Sequence, residues 1–342
     1  MVDRELEAFL EEFDSCATAP TRRLMGAYVR GQLAPLERKT VRSLARAAGV
    51  AARTLQEFLS LHRWDEERVR SLVARIGARR HGAAAEAAFL HLSGRPKKGD
   101  RTPGVDRQHC PSTGRVENCC VLVHLGRVDG TFRCLLESDV SLSERWAQEE
   151  RRLRAGIPEG VAGRSKGRVA LDLLERAERR GLRFGCVLAT RDLGREPEWV
   201  EEVARRGRAF LVEVPGDFAG RAAGREGPVR DLAGAGDALL AFALRGNEED
   251  RPLRLLALRE GGYFVTNLPG SLEDLAERAR DVARLEKAFA ADRRAVGLEE
   301  FEVRGYRSLR RHLALSAVSL LYLALRRQES PMARPFEGPV AL

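Results

Sequence analysis

The sequence predicts a mixed α/β protein: a helical N-terminal part followed by alternating strands and helices. Three observations carry this expectation. Apolar residues recur at helical spacing up to about residue 80, with no strand-like alternation. Short apolar runs bounded by turn residues begin only after that point. Amphipathic stretches separate those runs and close the chain. The length, 342 residues, suits two domains, placed at 1–82 (helical) and 83–330, with a loose tail at 331–342.

Hydrophobic residues make up 44% and charged residues 32%, a globular balance. Basic residues number 59 against 50 acids, for a net charge of +9, and lysine is confined to Lys39, Lys97, Lys98, Lys166 and Lys287. Arginine suits phosphate because its planar fork donates two parallel hydrogen bonds, so the balance points toward a polyanion. The acidic N-terminus lacks the apolar run of a signal peptide. The longest apolar stretch, Leu313 to Leu325, is 13 residues, short of the roughly 20 that cross a bilayer, and reads as a buried helix. No membrane partner and a cytoplasmic location are therefore expected. Cys16, Cys110, Cys119, Cys120, Cys134 and Cys186 show no paired C-x-x-C spacing, which argues against zinc and for buried, reduced thiols.

In chain order, strand signals fall at Ala88–Leu92, Asn118–Leu125 and Phe132–Leu136, an antiparallel meander. A helix fits Arg168–Arg180, a buried strand Gly185–Thr190, a helix Pro197–Arg206 with proline in its first turn, and a strand Ala209–Val214. Residues 215–236 read as loop. Three short strands follow at Ala238–Leu244, Leu253–Leu258 and Tyr263–Leu268, so that about 216–268 forms a β-rich insertion. Ser271 and Asp274 make a capping box that opens a long helix, and a last helix covers about Ser308–Arg327.

Within the N-terminal part, Val41–Ser60 has the spacing of two helices joined by a tight turn. Ala45 sits at their close approach, and Gly49, four residues on, is the left-handed turn residue. The second helix, about Ala51 to Leu61, presents Arg53, Thr54, Gln56 and Glu57. Such a helix can enter a major groove, where arginine reads guanine and glutamine reads adenine. The same spacing also fits an ordinary helical hairpin.

The order after residue 86 (three meander strands, helix, strand, helix, strand, late helix) suits a ribonuclease-H-like domain. Enzymes of that fold hold two Mg²⁺ ions on carboxylates from the first strand, the end of the fourth strand and the late helix. Several runs resemble the DDE transposases of bacterial insertion sequences, in the branch with a strand-rich insertion. Leu92–Gly99 (LSGRPKKG) is similar to that family's DTGFPKKG, and Gly104–Cys110 (GVDRQHC) to its GVARQYC. Gly114–Cys119, Arg145–Ala147, Ala155–Glu159, Val296–Leu298 and Glu302–Arg304 continue the likeness from about residue 8 to 327.

The departures fall on the catalytic positions. Leu92 occupies the first aspartate position, with His91 at the acid before it, and Thr190 occupies the second. Glu286 matches the third acid, and Arg293, seven positions on, matches the family's lysine. Periodicity also places Glu286 on one face with Leu275, Ala279, Val282 and Phe289, an expensive position for an unpaired carboxylate. Glu86, Asp100, Asp106 and Asp192 are the other nearby acids. Asp100 and Asp106 are expected on a loop, with His109 and Cys110 as loop structure too. Because adjacent strand residues point to opposite faces, His91 is expected to point away from the Leu92 side, either in the core or facing the N-terminal domain.

Candidate DNA contacts are Arg46, Arg53 and Gln56 in the helical part, and Arg95, Lys97 and Lys98 as a basic loop at the mouth of the site. Arg293 and the acid-free run Arg304, Arg307, Arg310 and Arg311 complete the set. The reading is a DNA-binding, transposase-like pseudoenzyme with no cofactor, binding double-stranded DNA; the resemblance also allows a homodimer. One alternative is an active transposase cutting and joining DNA with Mg²⁺ on displaced acids. Another is a protein-interaction scaffold on the same fold.

Overall fold

A computed structural model describes residues 4–161, 163–234, 236–244, 253–260 and 262–328. The tail expected at 331–342 lies outside the described residues. Five helices come first: α1 (Arg4–Glu11), α2 (Ala19–Leu33), α3 (Val41–Ala47), α4 (Ala52–Ser60) and α5 (Glu66–His81). Four strands follow, β1 (Ala84–Pro96), β2 (Val105–Cys110), β3 (Arg115–Asp129) and β4 (Phe132–Val140). Then come α6 (Glu149–Ala155), α7 (Lys166–Arg179), β5 (Arg183–Ala189), α8 (Arg191–Gly194), α9 (Pro197–Arg205) and β6 (Phe210–Val214). The insertion holds β7 (Ala219–Ala222), β8 (Arg225–Pro228), α10 (Val229–Leu232), β9 (Ala238–Ala243), β10 (Leu253–Leu258) and β11 (Gly262–Thr266). Two long helices, α11 (Leu272–Val296) and α12 (Tyr306–Gln328), end the described chain.

All eleven strands belong to one sheet, ordered β2-β3-β1-β5-β6-β11-β10-β9-β7-β8, with β4 also on β3. β1 runs parallel to β5 and β5 parallel to β6, while the other pairs are antiparallel. The insertion does not form a separate body, because β11 pairs with β6 and so prolongs the central sheet. This is the mixed α/β architecture expected, consistent with a ribonuclease-H-like domain plus a helical region.

Several boundaries differ from the sequence reading, for physical reasons. Val105–Cys110, expected as loop, is the strand β2, so Asp106 and His109 sit on a strand; its V-D-R-Q-H-C run looks polar because it is an edge strand. Arg95 and Pro96 belong to β1 rather than to a basic loop, paired opposite Cys120 and Cys119 of β3. Residues 215–236 contain the hairpin β7–β8, whose four-residue strands are too short to show alternation.

α12 is the hub. It packs against α2, α4, α5, α11 and β4, which leaves both of its faces buried. Its apolar run therefore needs polar relief within the interior. His312 Nδ1 pairs with the Tyr28 hydroxyl at 2.8 Å, and Gln32 donates to Ser316 Oγ (2.8 Å) while accepting from Ser319 Oγ (2.9 Å). A fully buried amide is tolerable only when satisfied in this way. The helical N-terminal part and the sheet thus share one continuous core across residue 82. All six cysteines are buried and free.

Candidate nucleic-acid interface and remnant carboxylate site

The three family positions lie on separate elements: Leu92 on β1, Thr190 just past β5 and Glu286 on α11. Thr190 follows β5 directly as the N-cap of α8, and its backbone N–H donates to the Leu90 carbonyl at 3.2 Å, setting the end of β5 beside the middle of β1. Leu92 is buried and pairs with Val123. The capping box at Ser271 and Asp274 starts α11, whose Phe289 stacks on Phe89 of β1 at 5.4 Å. Leu275, Ala279, Val282 and Phe289 are among its buried residues, as the periodicity requires, and Glu286 beside them is half-buried. A Cβ on Gly126 would stand 2.4 Å from the Phe289 ring, so glycine there lets α11 approach β3.

His91 lies in the core, one of its two expected placements. Its ring stacks on Phe89 and His124, each at 4.9 Å, and meets Phe289 at 5.1 Å. Its ring nitrogens make no well-formed hydrogen bond, only a loose approach to the Phe89 backbone. His124, by contrast, bonds Ser93 Oγ (2.9 Å) and Ser138 Oγ (2.7 Å). Burial, reinforced by the Arg293 charge, holds both histidines well below the usual imidazole range, hence neutral.

Glu286 has four charged neighbours, of which the sequence reading named Asp192 and Arg293 but not Glu213 and Arg191. Burial raises its carboxyl above the ordinary range; Glu213 and Asp192 raise it further, against Arg293 and Arg191. Arg191 pairs with Glu213 at 2.8 Å, and His109 Nδ1 lies 3.6 Å from Asp192. Glu213 could have been found as the one acid in the apolar strand FLVEV.

Magnesium is the group that the resemblance implies. Leu92 offers no donor, Thr190 only a neutral hydroxyl, and Glu286 one carboxylate. Among the described residues no three His, Cys, Asp or Glu side chains are grouped to hold a metal ion. The residues present do not fit a two-ion site. Asp106 is occupied by Ser143 (2.5 Å) and Arg145 (3.4 Å), and Asp100 by Arg145 (4.0 Å) and Arg151 (3.6 Å).

The basic residues divide into two groups. Arg46, Arg53, Gln56, Lys98, Arg304 and Arg307 are exposed, and Arg95 is partly so. Arg53 reaches Glu57 at 2.8 Å but keeps 87% of its side chain exposed, so α4 is not covered by the rest of the chain at that residue. Between α3 and α4, Gly49 takes φ +68°, the left-handed turn expected. The other group, expected among the DNA contacts, is engaged within the protein. Lys97 donates to the Phe301 carbonyl (2.8 Å) and lies 4.1 Å over that ring. Arg293 is buried on Glu299 at 2.8 Å. Arg310 pairs with Glu66 (3.1 Å) and Glu67; buried Arg311 pairs with Glu66 (3.3 Å) and covers Trp64. The sequence neighbourhood of Arg310 and Arg311 lacks acids, but α5 supplies them in space.

A model of the family described as DDE superfamily endonuclease matches residues 10–238. The chain belongs to this family. Within the DDE superfamily, it is 28% identical over 160 residues to a probable transposase for insertion sequence element IS701 from Microchaete diplosiphon. That match covers 46% of this chain and 40% of the relative, so the likeness spans about two fifths of that protein's length. This DDE-superfamily chain has no helix, among the described residues, long and apolar enough to cross a membrane.

Proposed function

We propose that this DDE-superfamily chain binds double-stranded DNA as a transposase-like protein and does not cut it. The observation that carries the reading is the pair Leu92 and Thr190 at positions where the family would place aspartates. Without those carboxylates, the charge that would hold two dications is missing while the surrounding scaffold is kept. DNA binding rests on the exposed α4 side chains Arg53 and Gln56, presented as the second helix of a helix-turn-helix, and on the exposed Arg46, Lys98, Arg304 and Arg307.

The test is binding of a labelled duplex of mixed sequence, followed by anisotropy across a salt series, beside incubation of supercoiled plasmid with Mg²⁺ or Mn²⁺. Affinity should fall steeply with salt, and the plasmid should stay intact. A second reading, cleavage through displaced acids, is favoured by one feature: Asp192 and Glu213 lie within electrostatic reach of Glu286. Metal-dependent nicking that Glu286→Ala abolishes would establish that reading and overturn the first.

A further inference from the structure

A cleft of about 730 Å³ opens between the helical N-terminal part and the connector that joins α11 to α12. One wall is the chain entering α3, with Arg38 and Arg42, together with Gln56 and Ser60 of α4. The opposite wall carries Arg304 and, in the first turn of α12, Ser308. Arg38, Arg42 and Arg304 are all exposed and have no acidic partner among the described residues. Glu302 is the acid in the lining, so the cleft carries an excess of positive charge.

This wall is not loose. Lys97 Nζ donates to the Phe301 carbonyl at 2.8 Å, Thr102 Oγ1 to the Val303 carbonyl at 3.3 Å, and the Lys39 backbone N–H to Glu300 at 2.6 Å. The connector is thereby pinned both to the β1–β2 turn and to the chain leading into α3. The backbone that carries Arg304 is a fixed frame, so binding orders the side chains and not the connector. Guanidinium forks with hydroxyl and amide donors between them suit the oxygens of successive phosphates.

We propose that this cleft is a phosphodiester-backbone site, shared by Arg38, Arg42 and Arg304, which seats the DNA strand flanking the groove that α4 enters. The proposal rests on the DNA-binding reading above and deepens it. It makes the contact composite: a strand in the cleft touches the α11–α12 connector as well as the reading helix. Because α11 carries Glu286 and the connector is tied to Lys97, DNA held there bridges the helical part and the remnant site.

The experiment compares the full chain with the triple variant Arg38→Ala, Arg42→Ala, Arg304→Ala, using a labelled duplex of mixed sequence over a salt series. A control removes the same charge from exposed positions outside the cleft, Arg183→Ala, Arg225→Ala and Arg259→Ala. Each lost phosphate contact lowers the salt slope by about one. The cleft triple should therefore flatten the slope by about 2 to 3 and weaken binding at least tenfold, while the control shifts the slope by less than about one. The single variants Arg38→Ala and Arg304→Ala, checked for folding by circular dichroism, should each flatten it by about one.

If wild type binds the duplex and the cleft triple binds it equally, the cleft assignment fails while the DNA reading stands. If the control triple flattens the slope as much, net charge alone is responsible and the assignment fails. If wild type binds no duplex, both readings fall. Polyglutamate displacing the duplex at equal charge concentration would mark an acidic-protein surface instead and overturn the assignment.

Discussion

Glu286 is held at an energetic cost. It is half-buried on α11, and burial raises its carboxyl before Glu213 and Asp192 add their repulsion. A carboxyl raised in the folded state binds its proton more tightly there than in the unfolded chain. Its stabilising contribution is complete below the unfolded value, about 4.3, and is lost as pH rises through the folded value. Glu286→Gln removes that loss. The variant should melt higher than wild type at pH 7, with the gain shrinking as the pH is lowered toward 5; thermal melts at the two pH values measure it. A lower melting temperature at pH 7 would mean that the carboxylate has a favourable partner outweighing its burial. His91 shows the same tension by another route, since it stays neutral in an aromatic stack without a good partner for its ring nitrogens.

At the scale of elements, the α3–α4 turn depends on one backbone conformation. Gly49 has φ +68°, and a Cβ there would meet nothing within 4 Å, so a side chain is opposed by the backbone alone. Gly49→Ala should cost about 1–2 kcal/mol in urea unfolding, and Gly49→Asn less, since asparagine enters this region more readily. Equal costs would point to a packing cause that the open surroundings do not provide. This turn was legible in the sequence because glycine spacing and local apolar periodicity specify it, as the capping box at Ser271 specifies the start of α11. The edge strand β2 and the β7–β8 hairpin were not legible: one is polar along much of its length, and the other is too short for a period. The apolar stripe that flanks Glu286 was legible from helical periodicity. The partners of Arg293, Arg310 and Arg311 were not, because burial and pairing are set across elements. Arg310 and Arg311 meet acids more than 240 residues away, on α5.

The whole molecule is joined by an ion network through the strand β4. Glu137 and Asp139, two apart and so on one face, are both about 2% exposed. Arg176 reaches Glu137 at 2.9 Å and Asp139 at 3.2 Å, Arg180 bonds Glu137, and Arg164 and Arg310 approach Asp139 at 3.5 and 3.9 Å. Buried Arg70 of α5 faces Glu137 at 3.7 Å and donates to the Arg310 carbonyl at 2.8 Å. Burial alone would raise the Asp139 carboxyl, but the surrounding guanidiniums, Arg310 foremost, hold it below the ordinary range. Its contribution is therefore present above the unfolded value, about 3.9, and is lost as pH falls through the depressed folded value. Asp139→Asn leaves buried arginines short of countercharge and should cost about 3–5 kcal/mol at pH 7. Because the network ties α5 and α12 to the sheet, that loss should not be confined to one part. Trp64 reports on the helical region and Trp199 on α9 beside the sheet. Variants that keep only one of these indoles should unfold in urea with coincident midpoints, both moved down together by Asp139→Asn. Separated midpoints would mean that the N-terminal helices fold as a unit of their own, and that the core shared around α12 does not enforce one transition.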